Sequence, residues 1–331
     1  MSEISSGEWE KLQEQYPRAH VLQTSAWGKV KSGFGWAVKH VAQSGAGAQI
    51  LFRKLPLGFH IAYLPKGPLG EDWTTLWPEV DNLCRRMRTI FLKVEPDAWE
   101  EDAEVLLSRF PNFLYPAKSI QPRRTIIVDL TGEPDSWMER MKQKHRYNTR
   151  LAVKKGVVVQ SSSDIGAFHQ MMLTTGLRDT FGVHSRDYYQ KVYDHFSPAG
   201  KCLLLLAAYE GQPLAGVMVL REGQRAWYFY GASNNLERQR MPAYLLQFEA
   251  MKWAKEMGCN EYDLWGVPDE DEATLEHEFE NRNDGLWGVY RFKRGFGGTL
   301  KRSLGALDKV YIPSLYGLYN RYLQVRGGWN G

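Results

Sequence analysis

Short apolar runs and helix-period segments alternate along the chain in two rounds of similar order. The first round opens with helical stretches at 8–15 and 23–31, followed by apolar strands at 37–42, 48–53 and 59–65. A helix over 77–88 then leads into a strand at 90–94. The second round begins with a strand at 125–130 and a helical region over 133–155, with Pro134 near its start. A short strand at 157–160 and helices at 165–180 and 186–196 follow. Three consecutive antiparallel strands come next, at 202–209, 214–221 and 225–231, joined by the turns Glu210-Gly211-Gln212 and Glu222-Gly223-Gln224. A helix over 242–257 is closed by Gly258, and a strand at 261–265 completes the block.

Three antiparallel strands, a helix crossing back onto the sheet and a further strand form the core order of the GCN5-related N-acetyltransferase fold. The expected class is α+β, with two tandem GCN5-related acyltransferase-like (GNAT) domains. Pro111, Pro116 and Pro122 mark a linker over 111–122. The expected division is a first domain at 1–120 and a second at 121–298. A tail over 299–331, helical in pattern, is expected to pack back on the first domain.

The 331 residues suit two cores, and charged residues at 24% with hydrophobic ones at 43% are ordinary globular values. Twelve Trp and 17 Tyr are a high aromatic content, suited to filling cores and to lining concave binding sites. Cys84, Cys202 and Cys259 form no CxxC pair and read as buried free thiols of a reducing compartment. The polar N-terminus carries no leader pattern and no run approaches membrane-span length, so a cytoplasmic protein is expected.

Acetyl-CoA enzymes of this fold hold the pyrophosphate on a Gly-rich turn before the crossover helix, where close backbone approach demands small residues. The corresponding segment, 234–244, holds no glycine, which counts against acetyl-CoA. HExxH, GxSxG, GxxxxGK[ST] and GxGxxG are absent from the sequence, and nothing in it demands a metal or a nucleotide cofactor. Catalysis would then rest on holding two reactants in register and stabilising charge at the reacting carbon.

Five segments carry a more specific signal: Gln23-Thr24-Ser25-Ala26-Trp27-Gly28-Lys29-Val30-Lys31; Leu64-Pro65-Lys66-Gly67-Pro68; Lys144-His145-Arg146-Tyr147-Asn148-Thr149-Arg150 with Lys154-Lys155-Gly156-Val157; Trp227-Tyr228-Phe229-Tyr230-Gly231; and Tyr290-Arg291-Phe292-Lys293-Arg294-Gly295-Phe296. In these and in their order the chain resembles the Fem-type aminoacyltransferases (FemABX), which move an amino acid from aminoacyl-tRNA to the stem peptide of a peptidoglycan precursor. The resemblance implies two acyltransferase-like domains, no cofactor, and as partners aminoacyl-tRNA and UDP-MurNAc-pentapeptide or lipid II. No coiled-coil heptads interrupt 157–265, so the compact, armless type is expected.

The resemblance also implies roles. Lys31 and Arg186 would hold the acceptor's phosphates, as charge-assisted donors do; the plainer alternatives are a solvated lysine and an Arg186 paired with Asp187 or Asp179. Tyr230, with Tyr188 or Tyr189, would line the acceptor site, although a strand tyrosine is as often core. Glu95 sits where the family has a carboxylate, on the acceptor side. Lys293 would assist the transfer by stabilising the oxyanion, and Phe292 would stack on the terminal adenine of the tRNA; the plain alternative for 291–293 is a strand alternating a core Phe with surface cations.

Charge is segregated. The net value of +4 conceals seven Lys or Arg and no carboxylate over 140–155, and eight carboxylates with one Arg over 269–284. Arg146, Arg150 and Lys154 recur at i, i+4 and i+8, a cationic line suited to phosphate backbone or to plain solvation. The aromatic stretch at 311–322 suits peripheral membrane contact or packing on the first domain. Two rival functions share the fold class or the basic helix: an acyl-CoA N-acyltransferase of envelope assembly and a non-catalytic RNA-binding module.

Overall fold

The computed structural model describes residues 3–326. They divide into two compact units: residues up to Arg123 together with those from Arg302 onward, and Arg124–Lys301. With strands and helices numbered along the chain, unit 1 holds a seven-stranded sheet in the order Glu3–Ile4 (β1), Trp36–Gln43 (β2), Ala46–Lys54 (β3), His60–Pro65 (β4), Thr89–Glu95 (β5), Ala306–Val310 (β14) and Leu114–Ala117 (β6). Its helices are Ser6–Gln13 (α1), Ser25–Ser32 (α2), Trp77–Arg86 (α3), Ala103–Leu107 (α4) and Pro313–Arg326 (α12).

Unit 2 repeats the plan, with the order Thr299–Arg302 (β13), Arg124–Asp129 (β7), Glu261–Asp263 (β12), Arg225–Ser233 (β11), Gln212–Glu222 (β10), Cys202–Tyr209 (β9) and Val158–Ser161 (β8). Its helices are Pro134–Arg140 (α5), Gln143–Lys154 (α6), Ile165–Asp179 (α7), Arg186–Phe196 (α8), Pro242–Glu256 (α9), Glu272–Glu278 (α10) and Trp287–Lys293 (α11). In each unit three antiparallel strands are followed by a crossover helix and a strand parallel to the third, β4–α3–β5 and β11–α9–β12. An antiparallel strand then lies outside the parallel one: β14 on β5, and β7 on β12. The tandem GNAT plan is therefore present in both halves.

Alternation along the strands explains the cores. On β3 and β4, Ile50, Phe52, Ala62 and Leu64 face α3 and share a cluster with Val80, Leu83 and Cys84. On β10, Val217 and Val219 face α9 and pack with Leu246, Ala250 and Met251.

Three expectations need correction. The 133–155 region is two helices, because Met141 (ψ 148°) and Lys142 (ψ 146°) are extended and break it. The proline-marked linker contains β6, hydrogen-bonded to β14 within the sheet of unit 1. The tail is not helical from Thr299: it forms β13 and β14 before α12 begins at Pro313, and Leu304, Ala306 and Leu307 are buried.

Candidate functional site

Lys293 ends α11, whose Trp287 and Tyr290 are buried on the same side. It is a helical residue, so the alternating-strand reading of 291–293 does not hold. One salt bridge and one phenol hydrogen bond anchor the helix. Arg294 Nε donates to Glu276 at 2.7 Å and the Tyr290 hydroxyl donates to the same carboxylate at 2.6 Å. The Arg294 hydrogen bond leads the pull that holds the Glu276 carboxyl down at about 2. Part of the acidic 269–284 stretch thus serves to fix the helix that bears Lys293.

The Lys293 ammonium is 5% exposed and donates to main-chain carbonyls, Gly266 O at 2.9 Å and Trp265 O at 3.3 Å. Its Nζ stands 5.2 Å from the centre of the Tyr228 ring. Burial drops its pKa from 10.5 to about 7, with the Asp263 charge opposing. Asp263 Oδ1 accepts from Trp265 N at 2.7 Å and from the Thr125 hydroxyl. Trp265, at φ 61°, is thereby held in a left-handed turn that aims its carbonyl at Lys293. Such a lysine sits near its titration point at neutral pH and can meet a developing oxyanion or exchange a proton.

The sheet opens at this place. Pairing of β11 with β12 stops at Trp227↔Asp263, while β11 runs on to Ser233. Beyond that point side chains meet instead, with the Phe229 and Trp265 rings 5.1 Å apart. A bulge opposite Met218 and Val219 makes Phe229 the extra residue. Tyr228 consequently faces the α9 core and Lys293, and Tyr230 faces α8. Simple alternation would have put both tyrosines on one face. Gly231 is required here, since a Cβ would run into the Tyr228 ring and hydroxyl.

Tyr230 joins Tyr188 and Tyr189. Its hydroxyl donates to Tyr188 Oη at 3.3 Å, and its ring is 5.1 Å from that of Tyr189. His184 stacks on Tyr188 at 4.0 Å, a partner that sequence reasoning missed. Burial pushes the Tyr188 phenol up to about 12 and Tyr230 well above the ordinary phenol value, so both stay neutral donors at physiological pH. Arg186 opens α8 and is exposed; Asp187 pairs with Lys191 and Asp179 with Arg178, so neither forms the Arg186 ion pair weighed as the plainer alternative.

In unit 1, Lys31 ends α2 with Nζ 5.6 Å from the Trp27 ring centre and 5.8 Å from that of Trp36. The Arg53 guanidinium lies 5.5 Å over the same Trp36 ring. Burial, then the Arg53 charge, lowers Lys31 to about 8. Two cations sharing one indole form a place for a doubly charged anion. Lys31 is thus partly buried rather than solvated.

Glu95 is buried at the end of β5. It accepts from Ile120 N at 2.6 Å, from Gln121 N at 3.1 Å and from the Tyr63 hydroxyl. Burial pushes its carboxyl up, opposed first by the Tyr63 hydroxyl and then by Lys66. These bonds make it a bracket for the 120–121 backbone.

The basic helix α6 divides its cations. Arg146 donates to Glu139 O at 3.0 Å and to Met141 O, closing the end of α5. Arg150 and Lys154 are exposed, beside Tyr147 at 63% exposure. Phe292 packs against Tyr244 and Phe296, with ring centres 5.2 and 5.0 Å away. Among the described residues no cluster of His, Cys, Asp and Glu has metal-ligand geometry, and no helix is long and apolar enough to cross a membrane.

The FemAB family model matches residues 114–210 and 206–323. The lipid II:glycine glycyltransferase of Staphylococcus epidermidis is 23% identical over 401 residues, covering 96% of this chain and 94% of the relative. The Staphylococcus haemolyticus protein of the same description is 24% identical, with 95% and 94% covered. A matched span of 401 against a chain of 331 means that these relatives contain segments this chain lacks, in keeping with a compact type. The crystal structure of FemX superposes with a TM-score of 0.84 at 21% identity, covering 96% of this chain and 99% of FemX. A tandem GNAT protein of clavulanic acid biosynthesis shares the fold, with a TM-score of 0.54 at 11% identity and 92% and 96% covered. The chain belongs to the FemAB family and is an acyltransferase built from two GNAT-like domains.

Proposed function

We propose that this acyltransferase forms peptide bonds in peptidoglycan assembly, taking an amino acid from aminoacyl-tRNA and attaching it to the stem-peptide amine of UDP-MurNAc-pentapeptide or lipid II. The observation that carries the reading is Lys293, a buried ammonium held on two carbonyls at the opening between β11 and β12. The relatives' description as lipid II:glycine glycyltransferases supports the acceptor class.

In the reaction the acceptor amine attacks the ester carbonyl carbon. A C–N bond forms, the carbonyl oxygen becomes an oxyanion, and collapse breaks the ester C–O bond. The amine proton leaves with the tRNA hydroxyl. Lys293 meets the oxyanion, where one positioned donor is worth about 3–4 kcal/mol. Lys31 in unit 1 and Arg186 in unit 2 are each cations suited to an acceptor phosphate, and Tyr188, Tyr189 and Tyr230 line a peptide site on unit 2. Glu95 shapes the acceptor side through the backbone it brackets. Arg150 and Lys154 meet the tRNA backbone, with Arg146 holding their helix in place and Phe292 beside the terminal adenine.

The test offers the protein charged tRNA or acyl-CoA together with a precursor pentapeptide and reads amide product by mass spectrometry. Product from charged tRNA alone is expected, with Lys293→Met lowering kcat about 10²- to 10³-fold at similar KM. Transfer from acyl-CoA but not tRNA, or tRNA binding without product, overturns the reading.

A further inference from the structure

Leu57 occupies the tip of the β3–β4 hairpin, in the turn Pro56–Gly58, at φ 60° and ψ 19° with 84% of its surface exposed. A bulky residue in the left-handed region gains nothing from its own chain here, where Gly or Asn would sit without strain. Single exposed leucines are common; this one has neighbours of the same kind. Leu55 and Phe59, on either side of the turn, share a cluster with Leu315, Tyr316 and Tyr319 of α12, so tip and helix are adjacent. The opposite stripe of α12 leaves Leu318 65% and Tyr322 48% exposed, with Arg321 exposed between them.

Exposed cations flank this face. Lys54 and Arg88 are exposed, and the Arg88 guanidinium lies 4.6 Å over the Phe59 ring. No Asp or Glu occurs between Glu14 and Glu71 or after Asp308. The carboxylates that reach β14 and the start of α12, Asp81 and Asp308, are paired with Lys309 and Tyr311 and with Lys93 and Tyr316. Apolar tips flanked by exposed cations, with the nearby carboxylates already paired, match the boundary of an anionic bilayer, where leucine and tyrosine enter the headgroup layer and cations meet phosphates. Nucleic acid would use the cations and leave the leucines in water.

We propose that this face of unit 1, the Pro56–Gly58 tip with the outer stripe of α12, docks on an anionic lipid surface. The inference is independent of the reaction proposed above. Its test is co-sedimentation with vesicles of phosphatidylglycerol mixed equally with phosphatidylcholine, and with phosphatidylcholine alone, no precursor or tRNA being present. The wild-type protein is expected to partition at least about tenfold better onto the anionic vesicles, and less as salt is raised. Leu57→Asn with Leu318→Gln should lower that partition about tenfold while far-UV circular dichroism and Tm stay at wild-type values, since Asn suits the left-handed turn. Equal binding to both vesicle types, or by the double variant and the wild type, overturns the proposal. So does loss of vesicle binding on adding an RNA competitor together with full retention by the double variant.

Discussion

Replacing Lys293 by methionine should make the protein more stable at neutral pH while lowering its transfer rate about 10²- to 10³-fold. The ordinary lysine pKa is 10.5 and burial brings this one to about 7, a difference of 10.5 − 7 = 3.5. At about 1.4 kcal/mol per pH unit, folding at or below pH 7 carries ~5 kcal/mol for desolvating the charge. The unfolded chain binds the proton more tightly, so this penalty is complete below pH 7 and fades as pH rises toward 10.5. Methionine keeps the stem and removes the penalty, but it gives up the hydrogen bonds to Trp265 O and Gly266 O, about 1.5 kcal/mol each. The net is ~2 kcal/mol in favour of Lys293→Met at pH 7, or about 4–8 °C in Tm for a unit of this size. At pH 9 the penalty has fallen to ~2 kcal/mol and the wild type becomes the more stable of the two. Thermal melts followed by circular dichroism at pH 7, 8 and 9 read the gap directly. A gap that stays constant across that range would refute the reasoning, since it would mean that Lys293 is not carrying a buried charge.

Four further outcomes follow from the geometry. Arg146→Ala should cost about 1–2 kcal/mol in urea unfolding because two carbonyls at the end of α5 lose their donor; Arg150→Ala with Lys154→Ala should leave stability unchanged, yet weaken tRNA binding and lower its log–log salt slope by about 1.5. Glu95→Gln should destabilise by about 1–3 kcal/mol, because one amide oxygen cannot serve the Ile120, Gln121 and Tyr63 donors together, with kcat of the folded fraction retained. Lys31→Met and Tyr230→Phe should each raise KM for the precursor in steady-state assays and leave kcat near wild type; an effect confined to kcat would remove them from acceptor binding.

Local signals in the sequence located the 202–231 hairpins, the Pro242 helix and the parallel strand after it, because each is bounded by Gly, Pro or a change of period. They were silent where tertiary pairing decides. Nothing near Met141 and Lys142 is a helix breaker; the interruption is made good by Arg146, five residues on, supplying hydrogen bonds to the freed carbonyls. The 299–310 segment has no clear strand alternation, and its extended form comes from partners on β7 and β5, far away in sequence. The candidate site was legible as a set of residue types and much less as an environment. The burial of Lys293 depends on carbonyls 27 and 28 residues earlier, and the separation of Tyr228 from Tyr230 depends on one bulge. Asp263 and Trp265 were missed; the available hint was an Asp two residues before a Trp-Gly pair at a strand end, a weak turn signal.

The placement of β14 between β5 and β6 has a consequence for synthesis on the ribosome. Unit 2 is a continuous stretch of chain and can close as soon as Lys301 has emerged. The sheet of unit 1 stays split until Ala306–Val310 arrives, although every other strand in it was made before Arg124. At translation rates of about 5–20 residues per second, the 183 positions from 124 to 306 hold the β5 edge open for ~10–40 s. The half that is made first therefore matures last, and its Val94–Leu92 edge is the segment a nascent-chain chaperone would have to shield.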